Sequence, residues 1–263
     1  MSDTPRCALV TGASAGIGAS FARLLAAEGY ELILVARRED RLRELAEELR
    51  EAHAHRCEII TADLTDPSAP LDIMARAEAL GMNVDVLINN AGLSGKGKFA
   101  ETAWKELADE IQLMVTAVTE LAHRAAMGMK QRGWGRIVNL SSVAAFAPPG
   151  ASLLYTGIKS YVLNMSQALD MELKPHGVFV TALCPGFTRS EFHDVMGTRD
   201  TMNKFPEFIW QDADEVAAAG YAAVMKGRPV CVPGLVNKLM VSSVRPLPET
   251  LRYHLGRLAN PFK

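Results

Sequence analysis

Short apolar runs alternate along the chain with longer stretches whose apolar residues recur at helical spacing. CALVT (7–11), ELILVA (31–36), CEIITA (57–62), NVDVLIN (83–89), GRIVNL (135–140), VFVTAL (178–183) and PVCVP (229–233) are of strand length, and they predict seven strands. Their nearly unbroken apolar character, rather than an alternating one, predicts a parallel sheet buried on both faces. GIGASFARLLAAEG (16–29) predicts a helix closed by Gly29, a residue suited to a C-terminal cap. EDRLRELAEELREAH (39–53) predicts an amphipathic helix with apolar positions 42, 45, 46 and 49. Further helices are expected near 68–80, 101–131, 154–174 and 212–226. This rhythm predicts a doubly wound α/β fold. No repeat, low-complexity tract or linker divides the chain, so residues 1–263 are expected to form one domain.

Composition narrows the field. With 49% hydrophobic and 22% charged residues the chain has the make-up of a globular protein. A formal net charge of −2 gives no electrostatic reason to expect a nucleic-acid partner. Cys7, Cys57, Cys184 and Cys231 form no CxxC pair, and reduced, buried thiols in a cytoplasmic protein are expected. No run approaches the roughly 18 apolar residues of a membrane span. His53 and His55 stand without a third metal ligand nearby in sequence, and no metal site is indicated.

Candidate chemistry gathers at the ends of the predicted strands, where open α/β sheets bind ligands. TGASAGIG (11–18) joins the first strand to the first helix. Gly12 suits a tight turn, Gly16 a close backbone approach to a pyrophosphate, and Gly18 close helix–sheet packing, with the helix N-terminus offering N–H groups. The second strand ends in VARR: Ala36 stands where an acid would read a free ribose 2′-hydroxyl, and Arg37 and Arg38 follow. A guanidinium there suits a 2′-phosphate, with Ser14 as a second donor. ADL (62–64) places Asp63 and Leu64 after the third strand, and NNAG (89–92) places Asn90 and Gly92 after the fourth. Asp63 could accept from an adenine amino group, Asn90 could brace the strand ends, and Gly92 could admit the cofactor. Lastly, YTGIKS (155–160) sets Tyr155 and Lys159 four apart at the head of a predicted helix, one turn from each other on one face.

TGASAGIG, Asp63, NNAG, Ser142, Tyr155–Thr–Gly–Ile–Lys159 and PGFT (185–188), in this order, resemble the short-chain dehydrogenase/reductase family over residues 6 to 190 or so. The stretch ALCPGFTRSEF is similar to that of bacterial members. The resemblance implies a strand order of 3-2-1-4-5-6-7 and an NADP(H)-dependent oxidoreductase that interconverts a carbonyl and a secondary alcohol. NADP(H) is expected to be favoured over NAD(H). Tyr155 would be the general acid–base, Lys159 would tune it and bind the nicotinamide ribose, and Ser142 would steady the substrate oxygen; Ser141 is the alternative serine. Ile17 and Thr188 would join the cofactor-binding residues, Thr188 at the carboxamide. Self-association as a dimer or tetramer through the helices at 101–131 and 154–174 is also implied.

A lysine ammonium about 5 Å from the tyrosine, at an effective dielectric of ~20, favours phenolate by roughly 3 kcal/mol. Tyr155 is therefore expected to ionise more easily than a free tyrosine. Gly157, between the pair, costs roughly 1 kcal/mol against alanine in a helix, and predicts close packing against another backbone. One departure stands out. Family members carry an asparagine on the helix after NNAG, holding a water beside the lysine; alignment of QLMVTAVTELAHRAAMGM places Met114 there. A thioether cannot donate as an amide does, which keeps open a second reading: a cofactor-binding protein with little turnover. In the segment at about 187–212, Phe187, Phe192, Met196, Met202, Phe205, Phe208 and Trp210 form either ordinary lid packing or a pocket for a hydrophobic small-molecule substrate. The tail at about 234–263 carries apolar helical stretches that pack on that region or on a partner subunit, with a peripheral membrane contact the lesser reading.

Overall fold

The computed structural model describes residues 5–53, 55–93, 98–147, 154–189 and 207–258. Strands β1 (Cys7–Thr11), β2 (Glu31–Ala36), β3 (Cys57–Thr61), β4 (Val84–Asn89), β5 (Gly135–Leu140), β6 (Val178–Leu183) and β7 (Val230–Cys231) form one sheet. Its order is β3-β2-β1-β4-β5-β6-β7, and all the pairs are parallel. Helices α1 (Gly16–Ala27), α2 (Glu39–His53), α3 (Ala69–Ala79), α4 (Trp104–Ile111), α5 (Ala117–Arg132) and α6 (Tyr155–Leu173) cross between the strands. Three more, α7 (Ala213–Met225), α8 (Leu235–Val244) and α9 (Glu249–Leu258), follow β6. None of the described helices is long and apolar enough to cross a membrane.

The unbroken apolar strands have a direct cause. Successive side chains point to opposite faces, and both faces are covered. Leu9, Ile33, Leu87, Ile137 and Val180 pack with residues of α3, α5 and α6. Their neighbours Val10, Leu34, Ile88 and Val138 pack with α1, α2 and α7 on the other side. On that side α7 runs so close that a Cβ at Gly220 would sit 2.6 Å from Leu183 Cδ2 and 2.9 Å from Phe21 Cζ.

Three elements differ from expectation. The helix predicted over 101–131 is broken into a 3-10 turn at Phe99–Glu101, α4, a π-helical turn at Gln112–Thr116, and α5. The π-turn takes up an extra residue, so that Leu113 and Met114 and then Ala117, Val118 and Leu121 all reach the core. Strand β7 is two residues long rather than five; Pro229 and Pro233 lack the N–H that would extend the ladder. Gly157 is exposed, and a Cβ placed on it meets no atom within 4 Å among the described residues, so none of these makes the expected backbone contact or explains this glycine.

Helix α6 carries Tyr155 and Lys159 and is anchored at its far end by a buried carboxylate. Asp170 Oδ1 accepts the Val180 N–H of β6 at 3.0 Å, and Oδ2 accepts Lys174 Nζ at 3.0 Å. Removing an acceptor from a buried donor costs about 1–3 kcal/mol. Asp170→Ala is therefore expected to lower stability in urea unfolding by that amount, and Asp170→Asn, which keeps an oxygen for Val180, by less. An Asp170→Ala protein as stable as the wild type would contradict this anchoring.

Candidate active site

The first three parallel crossovers leave β1 and β4 side by side, and a ring of hydrogen bonds fixes their C-terminal ends. Buried Thr11 donates through Oγ1 to Ile88 O at 3.2 Å, and the same oxygen accepts the N–H groups of Asn90 and Ala91 at 3.0 and 3.1 Å. Asn90 Nδ2 donates to Thr11 O and Gly12 O at 3.0 and 3.1 Å, which is the bracing expected of it. The glycine turn is packed to its limit. Gly12 has a φ of +64°, and a Cβ there would lie 2.7 Å from Asn90 Nδ2; a Cβ on Gly18 would lie 2.3 Å from Gly12 O. Helix α1 then starts after an extended Ala15, with no side-chain cap and no acid in its first turn. Its leading N–H groups and the positive end of its dipole are thus left for an anion. Gly16 and Ile17 form the first residues of that turn.

At the end of β2 the structure separates the two arginines. Arg38 Nη2 donates to Ser14 Oγ at 3.2 Å, whereas Arg37 Nη1 lies 3.7 Å from Asp63 Oδ2. Arg38 is thus the guanidinium tied to the glycine turn, and Arg37 the one turned to Asp63. Asp63 Oδ1 accepts the N–H and hydroxyl of Thr65 at 3.0 and 2.9 Å. Burial acts to raise the proton affinity of this carboxyl, but the Thr65 hydrogen bonds and the Arg37 charge outweigh it and hold it ionised below the usual range. Leu64 beside it is buried.

At the end of β5 the chain passes through Ser141 and Ser142. Ser141 Oγ donates to Lys159 O at 2.8 Å, which commits that hydroxyl to holding α6. Ser142 caps the 3-10 turn Val143–Phe146, its Oγ accepting Ala144 N–H at 3.1 Å, and its side chain lowers the proton affinity of Tyr155. Buried Lys159 donates from Nζ to Leu140 O at 2.8 Å, and the same ammonium lies 5.4 Å from the centre of the Tyr155 ring. Of the two serines, the geometry brings Ser142 and not Ser141 to the tyrosine.

The electrostatics differ from the expectation of an easily ionised tyrosine. Withdrawal from water pushes the Tyr155 hydroxyl above its ordinary value, against the lowering pull of the Ser142 hydrogen bond and with a smaller upward push from the Glu110 charge. Burial also lowers Lys159 to about 8, while Cys184 and Glu110 work to raise it. The reason is that desolvation penalises both charged forms, phenolate and ammonium alike, and is the largest influence on each group. Fully buried Cys184, pushed by burial up to about 12, is a neutral neighbour.

Met114 sits in the π-turn, fully buried, and a Cβ on Gly92 would lie 3.4 Å from its Sδ. The sequence pattern did not single out Glu110, one turn earlier and also buried; the signal available was a carboxylate four residues before Met114 on an otherwise apolar face. Beyond β6, buried Thr188 donates to Gly186 O at 3.2 Å, and the Phe187 and Trp210 rings lie 5.7 Å apart. Asn237 of α8 joins this end, donating to Gln211 Oε1 at 2.7 Å. Phe192, Met196, Met202, Phe205 and the Phe208 side chain lie outside the described residues. Among the described residues no cluster of three or more His, Cys, Asp or Glu could hold a metal ion.

A dinucleotide fits this cradle: the glycine turn leaves no room for a Cβ, the α1 N-terminus is uncapped, and Arg38 donates to Ser14 while Arg37 stands beside Asp63. Comparison with known proteins agrees. The short chain dehydrogenase family model matches residues 6–200. A very-long-chain 3-oxoacyl-CoA reductase of Pyrenophora tritici-repentis is 30% identical over 220 residues, which cover 82% of this chain and 64% of that one. The structure of a short-chain dehydrogenase from Sphingobium yanoikuyae in complex with NADPH is 33% identical, with a TM-score of 0.80 over 93% of this chain and 97% of that one. A bulky-bulky ketone specific alcohol dehydrogenase from Comamonas testosteroni is 32% identical, with a TM-score of 0.77 over 94% and 96% of the two chains. The chain therefore belongs to the short-chain dehydrogenase family of nicotinamide-dependent oxidoreductases that act on CH–OH and C=O groups.

Proposed function

We propose that this protein is an NADP(H)-dependent oxidoreductase that interconverts a hydrophobic ketone and its secondary alcohol, with Tyr155 as the acid–base group. The observation that carries this reading is the buried Lys159 ammonium, held by Leu140 O at 2.8 Å and lying 5.4 Å from the centre of the Tyr155 ring. When bound, the cofactor supplies or accepts a hydride at its nicotinamide ring. In reduction, Tyr155 donates its proton to the substrate oxygen while Ser142 donates a hydrogen bond to the same oxygen as charge develops there. Lys159 returns a proton to the tyrosine; with its own value near 8 it can give and regain one close to neutral pH. Gly12, Gly16, Ile17 and Gly18 take the pyrophosphate, Asp63 and Leu64 the adenine end, Asn90 and Gly92 the face beside the ring, and Thr188 the carboxamide.

Arg38 with Ser14, and Arg37 after Ala36, supply the charge that a 2′-phosphate needs and that a free 2′-hydroxyl does not. The Phe187–Trp210 pair lends an apolar wall to the substrate side. The relatives, one specific for bulky ketones and one a reductase of very-long-chain 3-oxoacyl-CoA, support a hydrophobic substrate. Met114 favours the second reading, a cofactor-binding protein with little turnover, and the same assays separate the two.

Tyr155→Phe is expected to cut turnover of a bulky-ketone panel by about 10²–10⁴-fold, the usual worth of an acid–base group, with NADPH affinity within a few-fold of wild type. Lys159→Ala should lose turnover and weaken NADPH binding as well. Near-normal turnover by Tyr155→Phe would refute the acid–base assignment, and a wild type that binds NADPH yet turns over none of the panel would favour the second reading. In fluorescence titrations, Arg37→Ala and Arg38→Ala should each weaken NADPH binding roughly tenfold, the worth of one partly solvated charge-assisted contact, and leave NADH binding unchanged. Equal wild-type affinity for the two cofactors would contradict the NADP(H) preference.

A further inference from the structure

Helices α8 and α9 hold to the body of the fold through a few residues. Asn237 of α8 donates to Gln211 Oε1 at 2.7 Å and to Pro233 O at 3.0 Å. One turn on, Val241 is buried with Phe146, Leu163 and Cys184. Arg252 of α9 donates to Phe146 O and Ala147 O at 3.1 and 3.2 Å. Another side of each helix turns apolar residues to solvent. Leu235, Val236, Leu239 and Met240 stand at i, i+1, i+4 and i+5 along α8, with Leu235 71% and Leu239 63% exposed. Leu251, Leu255 and Leu258 stand at i, i+4 and i+7 along α9, and Leu258 is 72% exposed. Such spacings set side chains in a stripe on one face. Single exposed apolar residues are ordinary on a protein surface. Here more than half of the exposed large ones among the described residues stand on two short helices, which marks an interaction face.

Charge decides what that face meets. Residues 234–263 contain Lys238, Arg245, Arg252, Arg257 and Lys263 against a single acid, Glu249. The stretch thus carries a formal charge of +4 in a chain whose total is −2. Lys238 and Arg245, seven residues apart and both exposed, share a side of α8 outside its apolar stripe. An exposed apolar stripe accompanied by Lys and Arg is the pattern of a helix that lies in a bilayer interface. A second copy of the chain fits less well: a two-fold contact sets a patch against itself, and here it would press one basic stretch onto another.

We propose that α8 and α9 dock the protein on an anionic lipid bilayer, lying in the headgroup region with their leucines turned towards the acyl chains. The attachment is peripheral, since none of the described helices is long and apolar enough to cross a membrane. Docking has a consequence for the proposed active site. A Cβ on Gly186 would lie 2.3 Å from Asn237 Oδ1, so the head of α8 packs beside the segment that carries Thr188. A ketone dissolved in the bilayer would therefore meet the protein at its substrate end. That consequence rests on the hydrophobic-ketone reading; the docking itself does not.

The test is flotation of the full chain with vesicles of equimolar phosphatidylcholine and phosphatidylglycerol, against vesicles of phosphatidylcholine alone. The wild type should bind the mixed vesicles roughly tenfold or more tightly than the neutral ones, and high salt should release it. Leu235→Ser with Leu239→Ser, and Leu255→Ser with Leu258→Ser, should each lose most of the binding, because the leucines are the groups that enter the bilayer. Lys238→Gln with Arg245→Gln should weaken binding to mixed vesicles by roughly tenfold or more, each charge near the surface being worth about fivefold. All these side chains are exposed, so the variants should keep the wild-type circular dichroism and NADPH affinity. A wild type that stays free of the mixed vesicles, or floats equally with the neutral ones, would overturn the proposal without recourse to any variant. Light scattering supplies a further arm. Leucine variants that turn an oligomer into a monomer while vesicle binding is unchanged would assign the stripes to a second copy and overturn it. Flotation involves no turnover, so a failure of the ketone reading would leave its result standing.

Discussion

A lysine ammonium in the interior is the constraint on which this active site depends. Lys159 has its amine on one backbone carbonyl, Leu140 O, and its own carbonyl is held by Ser141. Those two bonds tie the second turn of α6 to the end of β5, and they fix the height of Tyr155 above the sheet. Burial makes the charge costly and lowers the lysine to about 8, within the range where it can exchange a proton. A solvated lysine, near ~10.4, would hold its proton too firmly. The same burial raises the tyrosine, so desolvation is what sets both members of the pair.

The sheet supplies the other half of the arrangement. Strand order reverses between β1 and β4, and in open parallel sheets that switch point forms the ligand crevice. Here its floor is drawn tight by Thr11 and Asn90, and its rim carries the uncapped start of α1. Helix α6 reaches the same edge from the far side of β5, anchored in turn to β6 through its own Asp170. The proposed cofactor cradle and acid–base pair are thus built on rigid strand ends, which is what a hydride transfer over a short, fixed distance requires.

Much of this was legible in the sequence, because the features involved are local. Seven apolar runs announced the strands, since strands covered on both faces leave no polar side to alternate. Gly12, Gly18 and the Tyr155–Lys159 spacing are set by backbone geometry within a few residues of chain. What was less legible depended on contacts across the fold. Arg37 and Arg38 are adjacent in sequence, and only the position of Ser14 and Asp63 in space divides their tasks. The π-turn at Gln112–Thr116 keeps an apolar face that looks like uninterrupted helix. Glu110 reads as one more surface acid until α4 is packed against the core. Tyr155 was expected to ionise easily from its distance to Lys159; that distance, 5.4 Å to the ring centre, is as anticipated, but the depth of burial could not be read from spacing.

The central claim is that Tyr155 and Ser142 converge on the reacting oxygen of the substrate. A crystal structure of the ternary complex with NADP⁺ and a slowly reacting bulky ketone tests it most directly. The account predicts the carbonyl oxygen within hydrogen-bond reach, about 2.6–3.2 Å, of both the Tyr155 and Ser142 hydroxyls, with Lys159 Nζ on the ribose side of the tyrosine. A well-defined ketone whose oxygen meets neither hydroxyl would contradict it.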